Sequence, residues 1–185
     1  MKKSRLSVLL LIWVITFASC KKDNEPAPLP PPPTKTEWLT AKPWKITAYS
    51  VNPALPDSFF IKDGKGSFTN ILAFYSSLGA SCFHDNLRIL NNPKNFSYTQ
   101  GATKCDPNGT LAYASGNWAL SLDEKSLFLT FTNLPASNPS DIILDWSIPD
   151  PGNIIAYTIT ELTATSLKYT YAIGPYTFTE TLSNQ

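Results

Sequence analysis

Histidine is almost absent from this chain: His84 is the only one in 185 residues. Arginine is nearly as scarce, occurring as Arg5 and Arg88 alone. Cysteine occurs three times and glycine eight times, and charged residues make up only 16%. These shortages exclude much chemistry. A hydrolase needs a nucleophile, a base and an orienting group, yet no Gly-x-Ser-x-Gly turn occurs among the many serines. His84 beside Asp85 reads as an ordinary loop histidine before a catalytic base. Carboxylates pair only as neighbours, as in Asp123-Glu124, where a turn leaves them solvated rather than poised as general acid and base. Asp141 and Asp145 would share a face only on a helix, and their segment alternates with period two. No glycine loop cradles a phosphate. A zinc site would need more ligands than one histidine and two cysteines. Asp106-Pro107-Asn108-Gly109 holds four turn-forming residues and reads as a turn before a calcium loop. The expectation is therefore a protein with no enzymatic activity, metal or cofactor.

The longest apolar run is also too short for a comfortable bilayer span. Lys2, Lys3 and Arg5 precede Val8-Leu9-Leu10-Leu11-Ile12-Trp13-Val14-Ile15, and small residues follow. That order is a secretion signal over residues 1–19. Cys20 directly after Ala18-Ser19 resembles a bacterial lipobox, whose thiol is diacylated and becomes the new N-terminus. Phe17 stands where that box usually carries leucine. The expected partner is thus a membrane, held through an N-terminal lipid on Cys20. Lys21-Lys22-Asp23 resembles the export tag of surface lipoproteins, or simply begins a solvated linker. It points to the outer membrane of the cell envelope and leaves the face open, a surface-exposed one included. Residues 20–36 form a tether with six prolines, a stiff, extended composition. With the signal removed, 12 basic residues face 14 acidic ones. No strongly basic face follows from that balance, so nucleic acid is not an expected partner.

Residues 37–185 provide one domain's length of chain, enough for a core. Most of it alternates with period two, the mark of half-buried strands. Trp44 to Val51, Asn86 to Leu90 and Asn95 to Gln100 read as strands. Trp118, Leu120 and Leu122 alternate with polar or small residues, and so do Leu127, Leu129 and Phe131 across an Asp123-Glu124-Lys125 turn. Ile155, Tyr157 and Ile159 follow the same rule, as do Leu167, Tyr169, Tyr171 and Ile173. Tyr176, Phe178, Glu180 and Leu182 resume it after Gly174-Pro175. Ile142 to Ile148 alternates too, between prolines that weaken a strand. One segment differs: Phe68, Ile71, Leu72, Tyr75 and Leu78 have helical spacing, with Ser67 placed to cap and Gly79 to terminate about three turns. The architecture expected is all-β, an antiparallel up-and-down barrel of eight or nine strands with one short helix in the insert after the first strand. Closure also removes exposed sheet edges. With Cys20 acylated, Cys82 and Cys105 remain. Free thiols or a metal pair are alternatives, but an oxidising envelope favours a disulfide. It would close a 24-residue loop and contribute about 3 kcal/mol on the chain-entropy estimate.

Three stretches resemble the lipocalin-like domains of Gram-negative bacterial lipoproteins. Leu39-Thr40-Ala41-Lys42-Pro43-Trp44-Lys45-Ile46-Thr47 is similar to their opening strand. Gly101-Ala102-Thr103-Lys104-Cys105-Asp106-Pro107 is similar to a cysteine-bearing loop, with Cys82 in its partner's place. Ser115-Gly116-Asn117-Trp118-Ala119-Leu120 with Asp123-Glu124-Lys125 is similar to their Gly-x-Trp strand and polar turn. Lipocalins proper carry Gly-x-Trp on the first strand, where this chain has Lys42-Pro43-Trp44. They also pack a late arginine on that tryptophan, for which this sequence offers no counterpart. The resemblance implies a small barrel with an apolar interior, hung from a membrane. Tyr98, Trp118, Tyr157, Tyr169, Tyr171 and Phe178 lie on the apolar faces of the expected strands. In a wide barrel they would line a site for a small apolar or amphipathic ligand; in a narrow one they would fill it. The first case, a ligand carrier, is the function expected here. The second is an envelope scaffold or accessory subunit that contacts protein or glycan through outer loops, with the insert Asn52 to Ser81 as its surface.

Overall fold

The period-two pattern folds as strands whose large apolar residues turn inward and whose threonines turn out. The computed structural model describes residues 29–59, 63–104, 111–133 and 154–185. Its compact unit is Pro33–Gln185. The elements in order are α1 (Lys35–Thr40), β1 (Trp44–Pro56), β2 (Ser67–Asn70), α2 (Ile71–Ser77), β3 (Leu87–Asn91), β4 (Asn95–Thr99), β5 (Ala112–Leu120), β6 (Ser126–Asn133), β7 (Ile154–Leu162), β8 (Ser166–Ile173) and β9 (Tyr176–Asn184). From β3 to β9 each strand pairs antiparallel with its chain neighbour. β9 then closes onto β1 over eight registered pairs, from Trp44 opposite Asn184 to Asn52 opposite Thr177. β1 meets β3 over two pairs only, Trp44 with Arg88 and Lys45 with Leu87. The described strands therefore form a closed up-and-down barrel of eight, as expected, and β2 is an extra strand on the outer half of β1.

Register stacks the interior in rows. Ile46, Leu182 and Leu167 share one row, Tyr49, Glu180 and Tyr169 the next, and Val51, Phe178 and Tyr171 the third. All nine side chains are buried. Helix α1 lies across the first end. Leu39 is fully buried there, the Trp44 indole N–H donates to the Leu39 carbonyl at 2.9 Å, and Lys35 Nζ donates to the Glu124 carbonyl at 2.9 Å. β1 and the β5–β6 turn stand on opposite sides of the barrel, so a helix touching both spans its mouth. α1 begins at Lys35, inside the stretch read from sequence as tether. Its signal was legible: Thr34 and Glu37 form a reciprocal capping box.

The insert departs from the sequence reading in detail. Residues 67–70 pair with β1 instead of starting the helix, because Phe68 and Ser67 find backbone partners in Leu55 and Pro56. The helix therefore shortens to Ile71–Ser77, capped by Asn70, whose side chain accepts from the Ala73 N–H at 3.0 Å. Phe68 still joins it, stacked on Phe74 with centroids 3.9 Å apart. Gly79 follows the helix at φ +75°, as a terminating glycine should. A second departure is Leu122. β5 ends at Leu120, and Ser121 Oγ accepts from the N–H groups of Lys125 and Ser126. That turn takes Leu122 out of the alternation and leaves it fully exposed. The expected strand from Ile142 to Ile148 lies outside the described residues.

Gly116 shows how tightly the wall is packed. A Cβ there would stand 1.9 Å from the Thr130 carbonyl oxygen and 2.9 Å from the Phe96 ring. The missing side chain leaves room for Phe96 to meet Phe131 edge-on at 5.0 Å. Gly116→Ala is expected to cost about 3 kcal/mol, the upper part of the overpacking range. A urea midpoint unchanged from that of the parent protein would refute this packing.

Candidate functional site

The interior is the natural place to look for a site, since the chemistry-bearing side chains converge there. At its middle level Arg88 on β3 and Glu180 on β9 form an ion pair, Nη2 to Oε2 2.7 Å, with 4% and 0% of their surfaces exposed. The Tyr169 hydroxyl donates to the same carboxylate oxygen at 2.8 Å. The guanidinium carbon lies 4.1 Å from the Tyr98 ring centre, a cation–π distance. The sequence reading passed over both charged residues. Glu180 had a signal, since it stands at an inward position between Phe178 and Leu182. Arg88 had none, because its strand is short and its role appears only when β3 and β9 are brought to the two sides of β1.

Arg88 is the ladder partner of Trp44, but it comes from β3 and its guanidinium lies over the Tyr98 ring.

The six aromatic residues expected at a ligand site are all buried, but they divide. Tyr157 meets Tyr169 at 4.6 Å and Tyr171 at 5.0 Å, and Tyr171 stacks on Phe178 at 5.1 Å. Tyr98 packs with Phe96 at 5.4 Å and Phe131 at 5.8 Å. Trp118 sits apart, near the α1 end, where its indole N–H donates to the Asn91 carbonyl at 2.9 Å and Lys94 lies 5.8 Å from its ring. Above the ion pair, the hydroxyls of Tyr49 and Tyr171 bond to each other. One space left between these groups, bordered by Trp44, Arg88, Tyr98, Leu129, Tyr169 and Leu182, is about 10 Å³. That is about the room one water molecule needs, far below the roughly 300 Å³ of a small-molecule pocket. Among the described residues the aromatics pack against one another rather than around an open pocket.

Other sequence candidates resolve simply. His84 Nε2 lies 2.8 Å from the Leu72 carbonyl and 3.0 Å from Ser76 Oγ. A carbonyl only accepts, so Nε2 carries the proton and is no base for Ser76, whose hydroxyl donates to the Leu72 carbonyl at 3.1 Å. His84 thus pins its own short 3-10 turn (Ser81–Asp85) to α2. Cys82 lies in that turn; Cys20, Cys105 and the Asp106 to Gly109 turn lie outside the described residues. Among the described residues no cluster of histidine, cysteine and carboxylate is large enough to hold a metal ion.

No family model and no curated protein matches the chain. Among solved structures it is similar to a lipocalin-like protein from Bacteroides uniformis ATCC 8492. The two share 15% sequence identity and a TM-score of 0.46, over 80% of this chain and 99% of that one. The barrel assignment rests on the strand pairing itself.

Two expectations follow from the buried centre. Glu180→Leu leaves Arg88 charged and without its carboxylate, and is expected to cost about 3–5 kcal/mol. Adding Arg88→Met should recover most of that loss, as denaturant unfolding of both variants can check. The second concerns alkali. Burial pushes the hydroxyls of Tyr157, Tyr169 and Tyr171 well above the ordinary 10.0, and neighbouring tyrosines and Glu180 add to it. Groups raised in this way stabilise the fold fully below the unfolded value and lose that contribution as pH climbs through the raised one. Above pH ~10 stability should fall by about 1.4 kcal/mol per pH unit for each. In an ultraviolet titration these three of the eight tyrosines should ionise only as the protein unfolds.

Proposed function

We propose that this protein is a lipid-anchored, non-enzymatic barrel of the cell envelope, a scaffold or accessory subunit that acts through its outer surface. The observation carrying this reading is the close packing of the interior: the space beside its buried ion pair is about 10 Å³, and five tyrosines of the barrel strands are buried. Such a barrel is a rigid body for holding loops. The strand ends at Thr99, Ala112, Asn133 and Ile154 all lie away from α1, at the end that carries α2. A protein or a glycan is the partner proposed there. Anchoring rests on the lipobox-like Cys20, and a Cys82–Cys105 disulfide would fasten the 3-10 turn after α2 to the loop after β4.

A small-ligand carrier is the second reading, and one observation favours it. The Tyr157 hydroxyl is fully buried and has no hydrogen-bond partner among the described residues. An unsatisfied buried hydroxyl calls for an explanation, and a small polar guest would supply one.

Native mass spectrometry of the protein from its own host's envelope separates the two. The scaffold is expected to fly at its bare, lipid-modified mass. A stoichiometric extra mass that disappears on denaturation would overturn it in favour of the carrier. Cys20→Ala is expected to move the protein from the membrane to the soluble fraction. Unchanged fractionation would refute the anchor.

A further inference from the structure

The wall of the barrel is uneven. From β3 round to β9, and again where β9 meets β1, each seam has four or more registered pairs. The β1–β3 seam has two, Trp44 with Arg88 and Lys45 with Leu87, both at the α1 end. Beyond Lys45 the ladder on that edge of β1 is interrupted. It resumes at Ser50, where Asn70 of β2 becomes the partner. Along this edge α2 and the 3-10 turn pack against β1, with Ile71, Phe74 and Tyr75 buried. The turn is bound to α2 through His84 and through Phe83, whose ring meets that of Tyr75 at 5.5 Å. α2 directly continues β2, and β2 is paired to β1. The insert is therefore a unit seated on β1. Its far side is fastened by Asp85 Oδ2, which accepts from the Thr103 N–H, after β4, at 2.8 Å. Behind the seam the Arg88–Glu180 pair runs from β3 to β9.

We infer that this barrel has a side gate: β3 parts from β1, with the Arg88–Glu180 pair as the latch, while the wall from β9 back to β4 stays paired. Proteins open first where the fewest buried contacts and hydrogen bonds are lost. Opening at any other seam breaks at least four ladder pairs. Opening here breaks two pairs and the latch. It starts at the end away from α1, where side-chain packing replaces the ladder, and runs down to Lys45 and Trp44. The latch sets how often the gate opens, because parting two buried charges is unfavourable until water reaches both. The open state presents two strand edges and the separated charges of Arg88 and Glu180, all of which the closed wall hides. Neither the lipid anchor nor an outer partner is needed for it.

Timed nitration of tyrosines with tetranitromethane, mapped by mass spectrometry across a urea series, tests this on the whole protein. Tyr49 on β1 and Tyr98, the ladder partner of Arg88, flank the gate and are buried. Their nitration is expected to rise far less steeply with urea than global unfolding does, as a local opening should. Lys45→Cys with Leu87→Cys, oxidised to a disulfide across the seam, should slow both several-fold. Reduction should restore the rate, with the parent protein under the same reductant as reference. Glu180→Gln should speed both several-fold, and should have no such effect in the oxidised double variant. Half-buried Tyr176, at the β8–β9 turn, should react alike in every form. Nitration of Tyr49 and Tyr98 with the full urea dependence of unfolding would overturn the gate, as would equal rates in the oxidised and reduced double variant. If a variant fails to fold, the urea dependence of the parent protein decides.

Discussion

The barrel closes through β1, and the Arg88–Glu180 pair is what holds that closure from inside. Among the described strands β1 alone pairs on both sides with barrel strands that are not its hairpin neighbours, β9 on one edge and β3 on the other. The β9 side is long, while the β3 side has two pairs. Arg88 reaches from β3 to Glu180 on β9, so the ion pair spans the inner face of β1 and ties its two neighbours together. A buried pair of this kind adds little net stability beyond what well-packed apolar residues would give, but losing one partner is costly. Its effect is to favour the one register that brings opposite charges together. Tyr169 and Tyr98 complete the arrangement, one donating to the carboxylate and the other placing its ring under the cation.

With that polar level in the middle, the remaining interior is divided into two apolar levels. Leu182, Leu167 and Ile46 occupy the one toward α1, and Tyr171, Phe178 and Val51 the one toward α2. Neither is open. An eight-strand barrel is just wide enough to be filled by its own side chains, and five buried tyrosines with Trp44 and Trp118 are large enough to do so. Aromatic bulk in such a barrel is therefore no measure of binding capacity. A closed barrel of this size can be a solid post.

A solid post has two ends, and here they differ in build. The α1 end consists of tight turns fixed by side-chain bonds, as in Ser121 with Lys125 and Ser126. The opposite end carries the longer insert, in which β2, α2 and a 3-10 turn are packed onto the outer half of β1 and held by His84 and Asn70. On the proposed reading the α2 end faces a partner. Chain topology sets the ends apart: an up-and-down barrel entered at one end must place every second connection at the other.

The sequence by itself determined the strands and the class of fold. Period-two alternation in Leu167 to Ile173 and Tyr176 to Leu182 needs only local geometry to be read, and the tight turns make neighbours in sequence neighbours in space. It also determined the aromatic content of the interior and the scarcity of catalytic groups. Only the tertiary structure decided whether those aromatics line or fill, because that depends on barrel width, which no local pattern records. Tertiary structure likewise drew residues 67–70 into a strand by offering them β1 as a partner, and ended β5 before Leu122 through a serine's bonds to backbone beyond the turn. The Arg88–Glu180 pair is the clearest case. The two residues stand 92 positions apart in the sequence, and nothing local to either one names the other. They meet because β9 returns to β1, and that return is a property of the closed barrel as a whole.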